Sequence, residues 1–292
     1  MDCIEVGDMD SISIIIRCKN EQRFIGKTLE KIFEQEIKIP FEVIVIDSGS
    51  VDRTIEIIKK YNVNLFQIPQ QSFTFGYALN YGIEKANGNI ICNLSAHCIP
   101  VSNSWLKKLV DPIVNSSSHA TFGRQVAIKG MNAFEEVALN KHFPDHKEIK
   151  GRIPFSNANC AFLKKMWIER KFDEDLPSWE DYLWYFLQKD TYIFQYCPKA
   201  DVYHTHPFSI EAISDRAYRD GKALKMINKK YNIDFLGGVC PTFKTKALIF
   251  WNDMKNHIKL FKKEGYLIHI FLIPIVRFFA YKAHWEGYKS IR

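Results

Sequence analysis

No Gly-x-Gly-x-x-Gly and no Gly-x-x-x-x-Gly-Lys-[Ser/Thr] occurs in the sequence, which argues against a dinucleotide-binding enzyme and a P-loop nucleotidase. The seven cysteines form no Cys-x-x-Cys pair and show no zinc spacing. Their odd number suits free thiols in a reducing compartment. The start, Met1-Asp2-Cys3-Ile4-Glu5, is acidic and lacks the apolar run of a secretory signal. The longest apolar run, from Tyr266 to Tyr281, is broken by His269, Pro274 and Arg277, too short and too polar for a membrane-spanning helix. Internal repeats are also missing, and no low-complexity linker divides the first part of the chain.

What is present is a chain of 292 residues, 47% hydrophobic and 25% charged, enough for one large α/β domain or a domain with an appendage. The net charge of +7 suits a polyanionic or phosphorylated partner, an anionic membrane, or simply a basic solvated surface. Ser11 to Arg17, Phe41 to Ile46 and Ile90 to Leu94 read as buried strands, and Asn64 to Ile68 as another strand. Between them, Asn20 and Glu21 open a helix through Phe33, Asp52 to Tyr61 makes a second, and Phe75 to Ala86 a third that stops at Asn87-Gly88. That alternation predicts an α/β fold, a mostly parallel sheet with helices on both faces. Beyond Pro100, Ser104 to Val114 reads as a helix and Thr121 to Ile128 as a strand. Lys129 to Arg152 reads as an irregular, charged stretch of the kind that forms functional loops.

The Ile90 strand runs out into Ser95-Ala96-His97, a polar tip at the carboxyl edge of the sheet, where open α/β sheets bind ligands. Asp47 ends the second strand ahead of Ser48-Gly49-Ser50. It can accept hydrogen bonds from a nucleobase or a ribose, or it can cap its own turn together with Ser50. Glu180-Asp181 is open to two readings as well, an acid–base pair or an acidic helix start that suits the dipole.

The strand Ser13 to Arg17 with Asn20-Glu21, followed by Val45-Ile46-Asp47-Ser48-Gly49-Ser50-Val51-Asp52-Arg53-Thr54, resembles the opening of a family 2 glycosyltransferase of GT-A fold. Phe155-Ser156-Asn157-Ala158-Asn159-Cys160-Ala161 and Trp179-Glu180-Asp181-Tyr182-Leu183-Trp184 resemble that family's acceptor loop and catalytic Glu-Asp segment. The resemblance runs from about Ser11 to about Ser209. It implies a Rossmann-like GT-A catalytic domain, set at 1–240, with a C-terminal helical extension over 241–292. It also implies inverting transfer of one sugar, a hexose or deoxyhexose, from a nucleotide-diphosphate donor to a hydroxyl of a glycan or lipid-linked glycan, in cell-surface polysaccharide synthesis. By the same resemblance Asp47 holds the base or ribose and Asp181 is the catalytic base beside Glu180. Asn157 and Asn159 border the acceptor, and Trp179 and Trp184 provide its aromatic wall. Arg17 lies on the donor side. The absence of Gln-x-x-Arg-Trp is unlike a processive polysaccharide synthase.

One departure stands out. Where the family usually carries Asp-X-Asp to hold a metal against the diphosphate, this chain has Ser95-Ala96-His97. His97 with His206 (or His204) of Val202-Tyr203-His204-Thr205-His206-Pro207 is then the expected set for a divalent cation, Mn²⁺ more readily than Mg²⁺. The alternative is metal-independent action, with the histidines donating to the diphosphate or serving as polar walls. Arg216 and Arg219 recur with Lys222 along one helix face and are expected to add charge for the diphosphate, or to form a solvated face with Asp215 and Asp220. The tail from Pro241 mixes lysines with aromatics, which suits a peripheral membrane contact, or a helical pair packed on the catalytic domain or in a homodimer. The expected location is the cytoplasm or the inner face of the plasma membrane, with no nucleic-acid partner. Two rival functions remain: a lapsed GT-A protein that binds glycan or acts as a scaffold, and a sugar nucleotidyltransferase. The retained Glu180-Asp181 opposes the first, and the lack of glycine in Arg17-Cys18-Lys19-Asn20 opposes the second.

Overall fold

The computed structural model of the chain describes residues 10–145, 155–204, 206, 208–235, 243–263 and 265–291. The features read at Met1 to Glu5, at 146–152, and at Thr205, Pro207 and Pro241 lie outside the described residues. In chain order the elements are β1 (Ile12–Cys18), α1 (Ile25–Phe33), β2 (Phe41–Asp47), α2 (Thr54–Ile58), β3 (Asn64–Gln67), α3 (Phe75–Glu84) and β4 (Ile90–Ser95). There follow β5 (Cys98–Pro100), α4 (Trp105–Val114), β6 (Ala120–Val126), α5 (Ala133–His142), β7 (Asn159–Leu163), α6 (Lys164–Glu169) and α7 (Glu180–Phe186). The chain continues with β8 (Phe194–His204), α8 (Ile210–Tyr231), α9 (Phe243–Lys263) and α10 (Ile273–Lys289).

The residues separate into two compact units. The first is Met1–Ile128, Leu139–Asp175 and Glu180–Thr205, and the second is Lys129–Ala138, Leu176–Trp179 and His206–Arg292. The expected division at 240 assigns α8 to the catalytic domain, whereas α8 belongs with the second unit.

In the first unit, all eight strands form one sheet of order β3-β2-β1-β4-β7-β6-β8-β5. Successive residues on the central strands serve opposite faces. Ile14 and Ile16 of β1, Val43 and Val45 of β2, and Cys92 and Leu94 of β4 enter one core layer, which α1 completes with Ile25, Leu29 and Ile32. Ile15, Ile44, Ile46 and Ile91 enter the other, against Ala78, Leu79 and Ile83 of α3. A strand buried on both faces needs helices on both sides, and each fully buried Ile or Leu contributes roughly 1.5–3 kcal/mol.

The strands β3, β2, β1 and β4 run parallel, as expected. Beyond β4 the sheet turns mixed: β7 is antiparallel to β4 and β6, β8 is parallel to β6, and β5 is antiparallel to β8. The first two helices also start later than their sequence signals, whereas the third starts at Phe75 as expected. Asn20 takes a left-handed φ of 54° and Glu21 belongs to a loop, because the segments after β1 and β2 bond to one another instead. The Asn20 amide donates to Ser50 Oγ, Glu21 N–H to Thr54 Oγ1, and Val51 N–H to Asn20 Oδ1. Within the stretch expected to be irregular, 133–142 forms α5, whose first turn carries Glu135 and Glu136 and whose last turn carries Lys141 and His142. That charge order suits the helix dipole. The five described cysteines, Cys18, Cys92, Cys98, Cys160 and Cys197, are buried free thiols.

In the second unit, α8 and α10 cross at two glycines. A Cβ on Gly221 would lie 1.9 Å from the His284 carbonyl oxygen, and one on Gly287 would lie 1.9 Å from that of Tyr218. Only glycine permits that approach.

Candidate active site

Strand order reverses between β1 and β4, and the ends of those strands are in register. Arg17 pairs with Ser95, and Cys18 pairs with Asp47 on the other side. A reversal of this kind leaves a crevice at the carboxyl edge of the sheet. Here it is a cavity of about 160 Å³, lined by Arg17, Glu21, Ser48, Phe75, Ser95 and His97 among others. The antiparallel neighbour β7 brings its leading loop to the same edge, where Ser95 N–H donates to the Ala158 carbonyl.

His97 is placed by two contacts around the tip. Thr28 Oγ1 of α1 donates to the Ala96 carbonyl at 2.8 Å, and the His97 Nδ1 atom lies 2.7 Å from Glu21 Oε1. On the far side, β5 pairs with β8 so that Cys98 stands opposite His204, and the two imidazoles stack with centroids 5.0 Å apart. Their Nε2 atoms are 3.2 Å apart. His204 Nδ1 is 2.6 Å from Gln125 Oε1. Both outer partners are oxygen acceptors, which favour the Nδ1–H tautomer of each ring and with it an Nε2 able to ligate a cation. Two converging lone pairs on half-buried rings, each backed by an oxygen acceptor, form a donor set that fits a divalent cation.

The acids lie at the first turn of α7. Asn157 reaches both of them: its backbone N–H donates to Asp181 Oδ2 at 3.3 Å and its Nδ2 donates to Glu180 Oε1 at 3.4 Å. Asn157 is itself held by Asn93 of β4, whose Nδ2 donates to its Oδ1 at 3.0 Å. Asp181 Oδ1 accepts the Tyr182 N–H at 2.7 Å. Burial, and then the charge of Asp181, push the Glu180 carboxyl up to about 7. Burial also raises Asp181 above the usual carboxylate range. Arg17 connects the acids to the cavity, with Nη1 3.6 Å from Glu180 Oε1 and its guanidinium 4.7 Å from the Phe75 ring centroid. That Nη1 is buried and has no hydrogen-bond partner among the described residues. A buried donor in that state is suited to an anionic ligand.

Several expected residues stand elsewhere. Asp47 is fully buried and closes its own turn, with Oδ2 accepting the Gly49 and Ser50 N–H groups and Oδ1 accepting the Ser50 hydroxyl. It is Ser48 of that turn that lines the cavity. Trp184 is not an acceptor wall: its ring packs in the core against Phe155, Phe162 and Phe172, and its Nε1 donates to the Arg170 carbonyl. Asn159 does not border an acceptor either. It is fully buried, accepting from Trp105 Nε1 and donating to the Arg124 and Ala200 carbonyls. Trp179, Arg216 and Arg219 belong to the second unit. His206 keeps its expected place as a candidate ligand, since His97, His204 and His206 form a group that could hold a metal ion. Its backbone N–H and Nδ1 both meet the Glu135 carboxylate, and Arg216 Nη2 lies 3.4 Å from its Nδ1. Trp179 packs on Phe235 and holds a φ of 68°, a strained value for so bulky a residue. Glu21 and Gln125 were not picked out as site residues. Glu21 reads as a helix start, and nothing near Gln125 in sequence signals a histidine partner.

A parallel half-sheet joined to a mixed half, with a cationic cavity and an acid pair at one edge, defines a GT-A type of glycosyltransferase architecture. The sequence model of Glycosyl transferase family 2 matches residues 13–176, and the chain belongs to that family. The O-antigen chain rhamnosyltransferase RfbN of Salmonella typhimurium is 25% identical over 94% of this chain and 90% of its own length. A dolichyl N-acetyl-α-D-glucosaminyl phosphate 3-β-D-2,3-diacetamido-2,3-dideoxy-β-D-glucuronosyltransferase of Methanococcus voltae is 37% identical over 35% of this chain, a match that spans 34% of that relative. Among solved structures, residues 1–349 of TarS from S. aureus, in complex with UDP, superpose with a TM-score of 0.57 at 18% identity, over 96% of this chain and 90% of that one. The mannosyltransferase PcManGT of Pyrobaculum calidifontis, in complex with GDP-Man and Mn²⁺, gives a TM-score of 0.57 at 16% identity, over 96% and 74%. At these identities the structural likenesses carry the fold.

Proposed function

We propose that the chain transfers a single sugar from a nucleotide-diphosphate donor to a hydroxyl of a glycan or lipid-linked glycan, with inversion at the anomeric carbon. The observation that carries this reading is the buried Glu180–Asp181 pair, held by Asn157 and linked through Arg17 to the cavity at the strand ends. An acceptor hydroxyl is a poor nucleophile until a base takes its proton on the face opposite the leaving diphosphate. Asp181 is assigned that task. Burial raises its proton affinity, which brings it closer to the working pH of a general base. Glu180 sets the local charge and Asn157 fixes the geometry of both.

The cavity is smaller than the roughly 300–1,000 Å³ of pockets that enclose a whole small molecule, so it suits the charged middle of the donor. Arg17 meets the diphosphate there with its unpartnered N–H, and Ser48, at the turn closed by Asp47, lies toward the nucleoside. A divalent cation held by His97 and His204 would supply positive charge to the departing diphosphate. Glu21 and Gln125 hold those rings in the tautomer that leaves Nε2 able to ligate. The Salmonella relative, similar over nearly the whole chain, supports a growing surface glycan as the acceptor.

A thermal-shift panel of UDP-, GDP- and dTDP-sugars, each with and without Mn²⁺, tests the donor side. A true donor raises the unfolding midpoint, because a ligand that binds only the native state stabilises it. With an acceptor glycan, release of nucleoside diphosphate is expected. Release of pyrophosphate instead, or no shift with any sugar nucleotide, contradicts the reading.

A further inference from the structure

We propose that the second unit docks peripherally on an anionic lipid bilayer through one face of the segment 267–279. Leu267 (61% exposed), Phe271 (82%) and Phe278 (56%) stand out in solvent together with Leu272, Ile275 and Phe279. Ile275, Phe278 and Phe279 follow α-helical spacing and share a face of α10, and Leu267, Phe271 and Leu272 belong to the 3-10 turn, 267–272, that leads into it. The opposite face of α10 is already used, since Ile273, Val276, Ala280, Ala283 and Gly287 are buried. A helix apolar on both sides is ordinarily covered on both, and a contiguous exposed apolar ridge marks an interaction surface.

The charge distribution identifies the partner. Residues 243–292 hold ten basic and three acidic side chains, which accounts for the whole net charge of +7, while 1–242 hold thirty of each. The exposed lysines 255, 259, 262 and 263 of α9 belong to this excess. A second copy of the chain meeting this face by two-fold symmetry would set like charges against like. A bilayer with anionic headgroups supplies the opposite sign together with an apolar layer for the phenylalanines. No helix among the described residues is long and apolar enough to cross a membrane, so the ridge lies in the interface.

The test is co-sedimentation of the full chain with vesicles of phosphatidylcholine alone or with 30–40% (roughly the anionic excess a basic segment responds to) phosphatidylglycerol. The wild type is expected to partition at least tenfold more strongly onto the anionic vesicles, and less so at 0.5 M salt, which shortens the screening length to about 4 Å. The double variant Phe271→Ser/Phe278→Ser is expected to lose at least tenfold of that binding while keeping its circular dichroism and its sugar-nucleotide thermal shift. No binding to anionic vesicles overturns the proposal, and so does binding indifferent to the double substitution. A dimer in solution that the same substitutions dissociate assigns the ridge to a second copy and also overturns it. Vesicle binding requires no turnover, so this result and the proposed reaction stand or fall separately.

Discussion

His97 and His204 are 107 positions apart in sequence, yet their Nε2 atoms lie 3.2 Å from each other. The pairing of β5 with β8 brings them together, and Glu21 and Gln125 turn the rings so that both lone pairs converge. Where the family usually carries Asp-X-Asp, this chain gathers imidazoles from distant strand tips, and His97, His204 and His206 form a group that could hold a metal ion.

Mn²⁺ titration followed by electron paramagnetic resonance reads this pair directly. Wild-type protein is expected to take up the ion, and His97→Ala or His204→Ala to weaken uptake by well over tenfold. Glu21→Gln removes the carboxylate behind His97 and is expected to cost about 10–100-fold in affinity. EDTA is expected to suppress turnover, and Mn²⁺ to restore it. Uptake unchanged in both alanine variants would show that the histidines are not ligands.

The acid pair predicts a pH dependence of stability with a defined sign. Glu180 titrates near 4.5 when unfolded and at about 7 in the folded chain. Between those values the folded state binds the extra proton. Its contribution is therefore complete below pH 4.5 and is lost as pH rises through 7. Asp181, raised by burial, acts in the same direction. Urea midpoints measured from pH 4.5 to 8 should fall for wild type and fall less for Glu180→Gln. Parallel curves would contradict the placement of Glu180.

Trp184 separates core from site. Its ring is buried among three phenylalanines, so Trp184→Ala is expected to cost about 3–5 kcal/mol of stability. Trp184→Phe should fold and should leave the KM for acceptor within twofold. A selective rise in acceptor KM for Trp184→Phe would return the residue to the acceptor wall.

Much of the parallel half-sheet could be read beforehand, because Ile14 to Ile16 and Val43 to Ile46 are buried on both faces and carry no alternation to misread. The strand β7 itself was not legible: Asn157-Ala158-Asn159 reads as a polar loop, and the pairing that makes 159–163 a strand depends on β4 and β6 far away in sequence. The turn closed by Asp47 and the acidic first turn of α7 were visible because acids at strand and helix ends follow local rules. Trp184 was misassigned for a related reason, since an aromatic beside a catalytic segment looks the same in sequence whether it faces sugar or core. Gln125 could not have been found, because its meaning depends on His204 across a strand pair.

Asp181→Asn is the substitution on which the proposed chemistry turns, since it keeps the shape of the residue and removes the base. With a donor and acceptor in hand, nucleoside diphosphate release and donor affinity should be measured side by side. The expected result is a fall in turnover of at least about 10²–10³-fold, of the order that general-base catalysis contributes, with the donor dissociation constant within twofold of wild type. Turnover within threefold of wild type, with glycosylated product still formed, would contradict the assignment of Asp181 as the base.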